Sequence, residues 1–298
     1  MDPNWRCETD KYRGSLWEYY EDRFIEVQGV GTRYWSEGSG PAVVLVHGFG
    51  GSIEEWAWNI PALARWHRVV ALDMPGFGLT GKPDASYTYE YFASFLNAFM
   101  DALGLSGSHV VGHSMGGAIA LNLTLRHPGQ ARSLSLVAPA FGRKFPFAMH
   151  LLTTPLIGEL LFRPPSSTAG IAAGFRALTH KEFRYLDITL ERYLRYQHES
   201  GHTRASLNFL RNYLTPTGFN SRMGELDRFY DQNLPQLSVP VFLAWGPQDA
   251  VVDFDSSRLL RAFLPNAEFW SPDPCGHCPH FEFPEEFNDR VLAFFSRS

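Results

Sequence analysis

The stretch VVGHSMGGAIAL, residues 110–121, decides how the rest of the chain is read. A β-branched run leads in, small and aliphatic residues at helical spacing lead out, and Ser114 stands at the junction. Gly112, Ser114 and Gly116 form the pattern G-x-S-x-G. A strand that turns this sharply into a helix forces its serine into a strained backbone conformation, and small residues two positions away relieve the crowding. The helix start also points backbone N–H groups toward the hydroxyl, where a developing negative oxygen would be stabilised. A small-residue turn with an idle serine carries the same letters, so the flanking strand and helix supply most of the weight.

Working outward, AVVLVHG (42–48) and RVVALDMPG (68–76) repeat the continuous apolar run of a strand buried on both faces. IEEWAWNIPALARW (53–66) lies between them at helical spacing, and YEYFASFLNAFMDALG (89–104) predicts a helix that stops on Gly104. RSLSLVAPA (132–140), VPVFLAWGPQDAVV (239–252) and AEFWSPD (267–273) read as further strands, and PEEFNDRVLAFFSR (284–297) as an amphipathic helix. RFIEVQ (23–28) and GTRYWSEG (31–38) read as an antiparallel pair. Strands separated by helices predict an α/β fold with a mainly parallel sheet flanked by helices. Residues 143–236 break that rhythm with stretches such as RYLDITLERYLRYQHES (184–200) and no buried strand. The expected organisation is therefore a core of 1–142 and 237–298, interrupted by a helical insertion at 143–236.

Bulk composition narrows the function classes. The 298 residues are 45% hydrophobic, enough for a sizeable core, and carry a net charge of −5 without a basic stripe. That balance argues against a nucleic-acid groove or an anionic-membrane surface. FPFAMHLLTTPLIGELLF (145–162) is the most apolar window, but His150, two prolines, Gly158 and Glu159 make it poor material for a membrane span. The N-terminus lacks the basic start and apolar middle of a signal peptide. Three cysteines cannot make a disulfide framework, and the expected setting is cytoplasmic.

Taken in order, VLVHGFGG (44–51), DMPGFGLT (73–80), GHSMGG (112–117), WGPQD (245–249) and GHCPHFEFPEEF (276–287) make the chain resemble the α/β-hydrolase fold family over residues 24–297. The likeness is to its serine esterase/lipase-like or meta-cleavage-product-hydrolase-like branch. It implies that 143–236 is the family's variable helical cap. It also implies a nucleophile, acid and base in the chain order Ser, Asp or Glu, His. Ser114 would be the nucleophile. Gly276-His277 matches the loop of the family's base, with His280 as its rival. Asp249 matches the loop of the acid that orients the base; Asp253 and Asp255 are near alternatives, although such residues more often cap the next helix. The strand before it ends in Ala138-Pro139-Ala140, with no carboxylate. By the same matching, the oxyanion hole would use the backbone N–H groups of Met115 and Phe49, the latter from His47-Gly48-Phe49-Gly50. His47 would brace this loop and His113 would shape the turn.

Two motifs invite other chemistry. CGHCPH (275–280) packs two cysteines and two histidines together, yet a metal site would need ligands from a second segment, and a redox C-x-x-C would open a helix in a thioredoxin-like context. The cysteines read as bystanders to a histidine. Gly76-Phe77-Gly78-Leu79-Thr80-Gly81 is a literal G-x-G-x-x-G, but Lys82-Pro83-Asp84 opposes the helix that a dinucleotide site requires. No metal and no organic cofactor is expected.

A serine activated by a histidine attacks a carbonyl, so hydrolysis of carboxylic esters leads the reading. A serine at this position excludes the dehalogenase and epoxide-hydrolase relatives, which use an aspartate. Carbon–carbon hydrolysis of the meta-cleavage-product type is the alternative, and a small-molecule receptor of the same fold is a third. The partner expected is a small apolar ester or related carbonyl compound. Phe49, Phe141, Phe145 and Trp245 are the expected pocket residues, while Phe147, Met149, Leu151 and Leu152 could face substrate or fill the cap. Arg143 and Lys144 either meet an acidic substrate or sit solvated.

Overall fold

Valine-rich runs with no polar face can only be satisfied inside a sheet covered on both sides, and that is where they lie. The computed structural model describes residues 20–142, 147–162, 164–180, 187–215 and 218–298. Strands β1 (Arg23–Val27), β2 (Val30–Glu37), β3 (Ala42–Val46), β4 (Arg68–Leu72), β5 (Ser108–His113) and β6 (Ala131–Val137) precede a short hairpin, β7 (Leu214–Thr215) and β8 (Gly218–Phe219). Strands β9 (Val241–Ala244) and β10 (Glu268–Trp270) follow. All but the hairpin form one eight-stranded sheet in the order β1-β2-β4-β3-β5-β6-β9-β10. The β1–β2 and β2–β4 pairs are antiparallel and every later pair is parallel.

Alternation along β3 shows how the two faces are used. Val44 and Val46 pack into the core beneath α2 (Tyr89–Ala102) and α3 (Met115–Arg126), against Phe92, Phe99 and Ile119. Val43 and Leu45 point the other way, into a second core with Trp56, Phe287 and Phe294. That face is covered by α1 (Ile60–Leu63) and the closing helix α12 (Pro284–Phe295). Helix α2 begins where Thr88 caps it, accepting the N–H of Tyr91.

The segment 53–66 departs from the single helix expected of it. It forms a 3-10 turn at Ile53–Trp56 and then the short α1, because Pro61 has no N–H to donate to the preceding turn. The turn buries two acids, Glu54 and Glu55, that a solvated helix face would have exposed. Glu54 meets Arg33 of β2, which is itself fully buried: Nη2 stands 2.8 Å from Glu54 Oε1 and Nη1 3.2 Å from Asp73 Oδ2. Burial alone would raise the Glu54 carboxyl, but Arg33 beside it holds it below its ordinary value.

Between β6 and β9 the described residues form α4 (Phe147–Leu151), α5 (Ile157–Leu161), α6 (Thr168–Leu178), α7 (Asp187–Gln197), α8 (His202–Tyr213), the β7–β8 hairpin and α9 (Ser221–Asn233). None of these elements joins the eight-stranded sheet. The hairpin was not expected, since strands of two residues carry no periodic signal. Helix α7 docks on the buried charges below: Tyr196 donates its hydroxyl to Glu54 Oε1 at 2.9 Å, and Arg192 Nη1 approaches the same oxygen at 3.3 Å. After β9 come α10 (Asp255–Phe263) and, beyond β10, the single turn α11 (Pro279–Glu282). Among the described residues, no helix is long and apolar enough to cross a membrane.

Candidate active site

The turn that opens the sequence reading is as tight as its glycines demand. Ser114 sits at φ 52°, ψ −117°, a backbone conformation a side chain adopts only when its surroundings enforce it. Its N–H bonds to Val137 O at 2.9 Å, and its own carbonyl accepts from Ala118 and Ala140. A Cβ on Gly116 would stand 2.2 Å from Val46 O, so only glycine lets α3 start this close to β3. The Ser114 side chain is thereby presented at the C-terminal edge of the parallel strands, where such sheets bind ligands.

Two loops from the far end of the chain arrive at the same edge. Gly246 follows β9 and approaches Gly276 so closely that a Cβ there would lie 1.9 Å from Gly276 O. This contact brings Asp249 and His277 together, with His277 Nδ1 donating to Asp249 Oδ2 at 2.7 Å. The other oxygen of Asp249 accepts the N–H groups of Val251 and Val252 at 2.8 and 2.9 Å. A neutral His277 with its hydrogen on Nδ1 keeps a lone pair on Nε2. The loop is also tied to α6, because His277 N donates to Leu178 O at 2.8 Å.

The rival residues go elsewhere. His280 is fully buried between Trp56 and Phe281, with ring centroids at 4.7 and 4.3 Å, and burial pushes its imidazole down to about 4. Asp253 accepts the N–H of Asp255 at 2.7 Å, and Asp255 pairs with Arg258.

Ser114, His277, Phe49 and Met115 all line one cavity of about 500 Å³. Its walls are mostly apolar, with Met149, Leu152, Phe162, Phe175, Phe209 and Met223 among them. The ring of Phe49 stacks on Phe209 at 5.5 Å. Two expected pocket residues are placed differently. Phe141 does not line this cavity, because a tight turn after β6 (Phe141 N to Pro139 O, 2.7 Å) sends its ring against Tyr230 and Phe263. Trp245 lies wholly within the core, its Nε1 donating to Val252 O at 3.1 Å, and so braces the Asp249 loop from behind. Phe145, Arg143 and Lys144 lie outside the described residues. Phe147 points to solvent, whereas Met149 and Leu152 face inward.

Sequence reasoning missed the wall contributed by α6 to α9, although Ile171, Phe175 and Leu178 already stood at helical spacing. It also missed Glu55. This buried acid accepts from Gly48 N at 2.9 Å and lies 2.6 Å from His113 Nδ1. Burial would raise its carboxyl, yet His113 and His280 beside it hold it well below the usual carboxylate range. Glu55, His113 and His280 gather their ligand-type atoms within 4.8 Å of one another. Neighbouring ligand atoms of a tetrahedral zinc stand about 3.3 Å apart. The 2.6 Å contact between Glu55 and His113 is a hydrogen-bond distance instead. The Gly76–Gly81 loop closes on itself through Gly76 N and Gly81 O at 3.0 Å, and no helix opens before Tyr89.

His47 braces the loop after β3 from both nitrogens, with Nδ1 donating to Gly48 O at 2.7 Å and Nε2 accepting from Met74 N at 2.9 Å.

The family model described as alpha/beta hydrolase fold matches residues 41–284. A 2-hydroxy-6-oxo-6-(2'-aminophenyl)hexa-2,4-dienoic acid hydrolase of Metapseudomonas resinovorans is 31% identical over 283 residues, which cover 93% of this chain and 92% of that one. The crystal structure of a serine hydrolase involved in carbazole degradation matches with a TM-score of 0.72 at 29% identity, covering 94% of this chain and 100% of the other. A carboxylesterase from Bacillus subtilis matches with a TM-score of 0.77 over 98% of this chain and 97% of its own, at 23% identity, a likeness of fold alone.

Proposed function

The chain belongs to the alpha/beta hydrolase fold family, and from that premise we propose that it is a serine hydrolase acting on neutral carboxylic esters with apolar acyl or aryl groups. Ser114 is the nucleophile, His277 its base and Asp249 the group that orients the base. His277 Nε2 takes the hydroxyl proton as Ser114 Oγ attacks the ester carbonyl. The N–H groups of Phe49 and Met115 hold the oxyanion of the tetrahedral intermediate. His277 then gives its proton to the leaving alcohol as the carbon–oxygen bond breaks, leaving an acyl group on Ser114. Water activated by the same histidine releases the acid. Residues 143–236 act as the helical cap of the fold, and the mechanism needs neither metal nor organic cofactor. The buried Cys278 thiol suits a reducing compartment such as the cytoplasm.

The observation that carries the choice of a neutral ester is the charge of the cavity wall. Among the described lining residues there is no lysine or arginine, and Glu55 is an acid already paired. Against these described residues a carboxylate would lose its water and meet no cationic side chain among them, which is costly. The alternative, carbon–carbon hydrolysis, is favoured by the likeness to the dienoic acid hydrolase, whose name specifies an acidic substrate.

The two readings separate on substrate charge. The enzyme is expected to hydrolyse p-nitrophenyl butyrate with a kcat/KM about 100-fold above that for the p-nitrophenyl monoester of succinic acid, a loss of roughly 3 kcal/mol for the buried charge. Equal rates on the two esters would contradict a neutral-substrate pocket. Turnover of a yellow dienoate by an enzyme that ignores both esters would establish the carbon–carbon reading instead.

A further inference from the structure

Behind Ser114, one buried carboxylate gathers three loops that are far apart in the chain. Glu55 Oε2 accepts the N–H of Gly48, the residue before Phe49, at 2.9 Å. Glu55 Oε1 accepts from Nδ1 of His113, the residue before Ser114, at 2.6 Å. The opposite nitrogen of that ring, Nε2, lies 3.1 Å from the backbone carbonyl of His277. The oxyanion loop, the nucleophile turn and the base loop are thus joined through two side chains, neither of which belongs to the proposed reaction.

We propose that Glu55, acting through His113, is a positioning residue that holds Gly48-Phe49 and His277 in register with Ser114. The proposal rests on the Ser114–His277–Asp249 reading above. The chemistry asks for a carboxylate at this place. Gly48 N–H and His113 Nδ1–H are both donors, so their common partner must offer two acceptor oxygens. The ring of His113 spans the gap between the Glu55 carboxylate and the peptide carbonyl of His277. Charge-assisted bonds of this kind are short and directional, which suits a part that fixes geometry.

The pair is largely buried at the floor of the cavity. Glu55 is 4% and His113 5% exposed, and His280 packs against both, its Nε2 3.5 Å from Glu55 Oε1 and its ring 4.6 Å from that of His113. Cys278 Sγ lies 4.0 Å from His113 Nε2, and the His113 and His277 rings stand 4.7 Å apart. Burying an ionised glutamate stabilises a fold less than a well-packed hydrophobic residue of similar volume would. Packing therefore gives no reason for an acid here, whereas alignment of three catalytic loops does.

The test uses the full chain with Glu55→Gln, Glu55→Asp, His113→Ala and the double variant Glu55→Gln/His113→Ala. Glutamine keeps the volume but offers one acceptor, so either Gly48 N–H or His113 Nδ1–H meets an amide NH₂. Misplacement of the oxyanion donor and base is expected to lower kcat on p-nitrophenyl butyrate about 10- to 100-fold, with KM within about threefold of wild type. Affinity for butylboronic acid, whose adduct on the serine mimics the tetrahedral intermediate, should fall by the same factor as kcat/KM. Glu55→Asp, which keeps both oxygens, should recover part of the lost kcat. The double variant should fall no further than the worse single, since both act in one unit.

A folded Glu55→Gln with unchanged kcat, a rise in KM alone, or losses that simply add in the double variant would overturn the proposal. Should Glu55→Gln not fold, Glu55→Asp and His113→Ala carry the same comparison: a loss confined to kcat supports it and an unchanged kcat overturns it. Failure of the underlying reading looks different, because wild type itself would then neither hydrolyse the ester nor bind the boronic acid.

Discussion

Asp249→Asn is expected to lower kcat/KM for ester hydrolysis about 10⁴-fold while leaving the fold intact, an effect set by tautomer rather than by charge alone. Asp249 accepts three hydrogens, two from the N–H groups of Val251 and Val252 on one oxygen and one from His277 Nδ1 on the other. Asparagine has a single acceptor oxygen, and the two backbone donors will keep it. Its NH₂ then faces His277, which must turn Nδ1 into an acceptor and carry its hydrogen on Nε2. A ring protonated there cannot take the proton of Ser114. Steady-state kinetics from pH 6 to 9, read beside the thermal midpoint, checks this. A loss of about tenfold or less would mean that Asp249 does not set the tautomer of the working base.

Ser114→Ala is expected to cost at least about 10³-fold in kcat/KM on the same ester, with whatever remains coming from binding and the oxyanion donors. The substitution removes a single oxygen and leaves the other features of the turn in place. The constraint at φ 52° is imposed by the approach of α3 to β3 through Gly116, not by the hydroxyl. Alanine there should fold as serine does and still take ligand into the cavity. Unchanged KM for residual turnover, together with an unchanged affinity for a non-reactive amide analogue, would show that binding survives the loss of chemistry. Substantial remaining activity would move the nucleophile to another residue.

What could be read from the sequence follows from how local each signal is. The runs at 42–48, 68–76 and 108–113 were legible because a strand buried on both faces has no polar positions to disguise it. The turn at Ser114 was legible because its glycines answer to backbone contacts within a few residues and one neighbouring strand. Asp249 and His277 were legible only through the resemblance of their loops, since 28 residues separate them and no spacing rule links the two.

Other features depend on tertiary direction, which a one-dimensional pattern does not carry. The stretch 53–66 read as one helix, with nothing to mark Glu54 and Glu55 as buried; Pro61 breaks that helix and both acids face inward, onto Arg33 and His113. Phe141 belonged to a run pointing at the site, but the turn at Pro139 redirected it onto Tyr230. Much of the cavity wall comes from helices α6 to α9, whose side chains make a surface only once they meet. Likewise His280 competes with His277 on paper, three residues away, yet stacking between Trp56 and Phe281 removes it from the cavity altogether.

The proposed mechanism has Ser114 carry the acyl group of a neutral ester between two half-reactions. It is tested most directly by acid-quenching the enzyme during turnover of p-nitrophenyl butyrate and locating the acyl group by peptide mass spectrometry. The expected result is one butyryl group on the peptide containing Ser114, its amount raised in slow-deacylating conditions and absent from Ser114→Ala. Butyryl found on another residue, or steady release of p-nitrophenol with no acylated peptide at any quench time, would contradict the account.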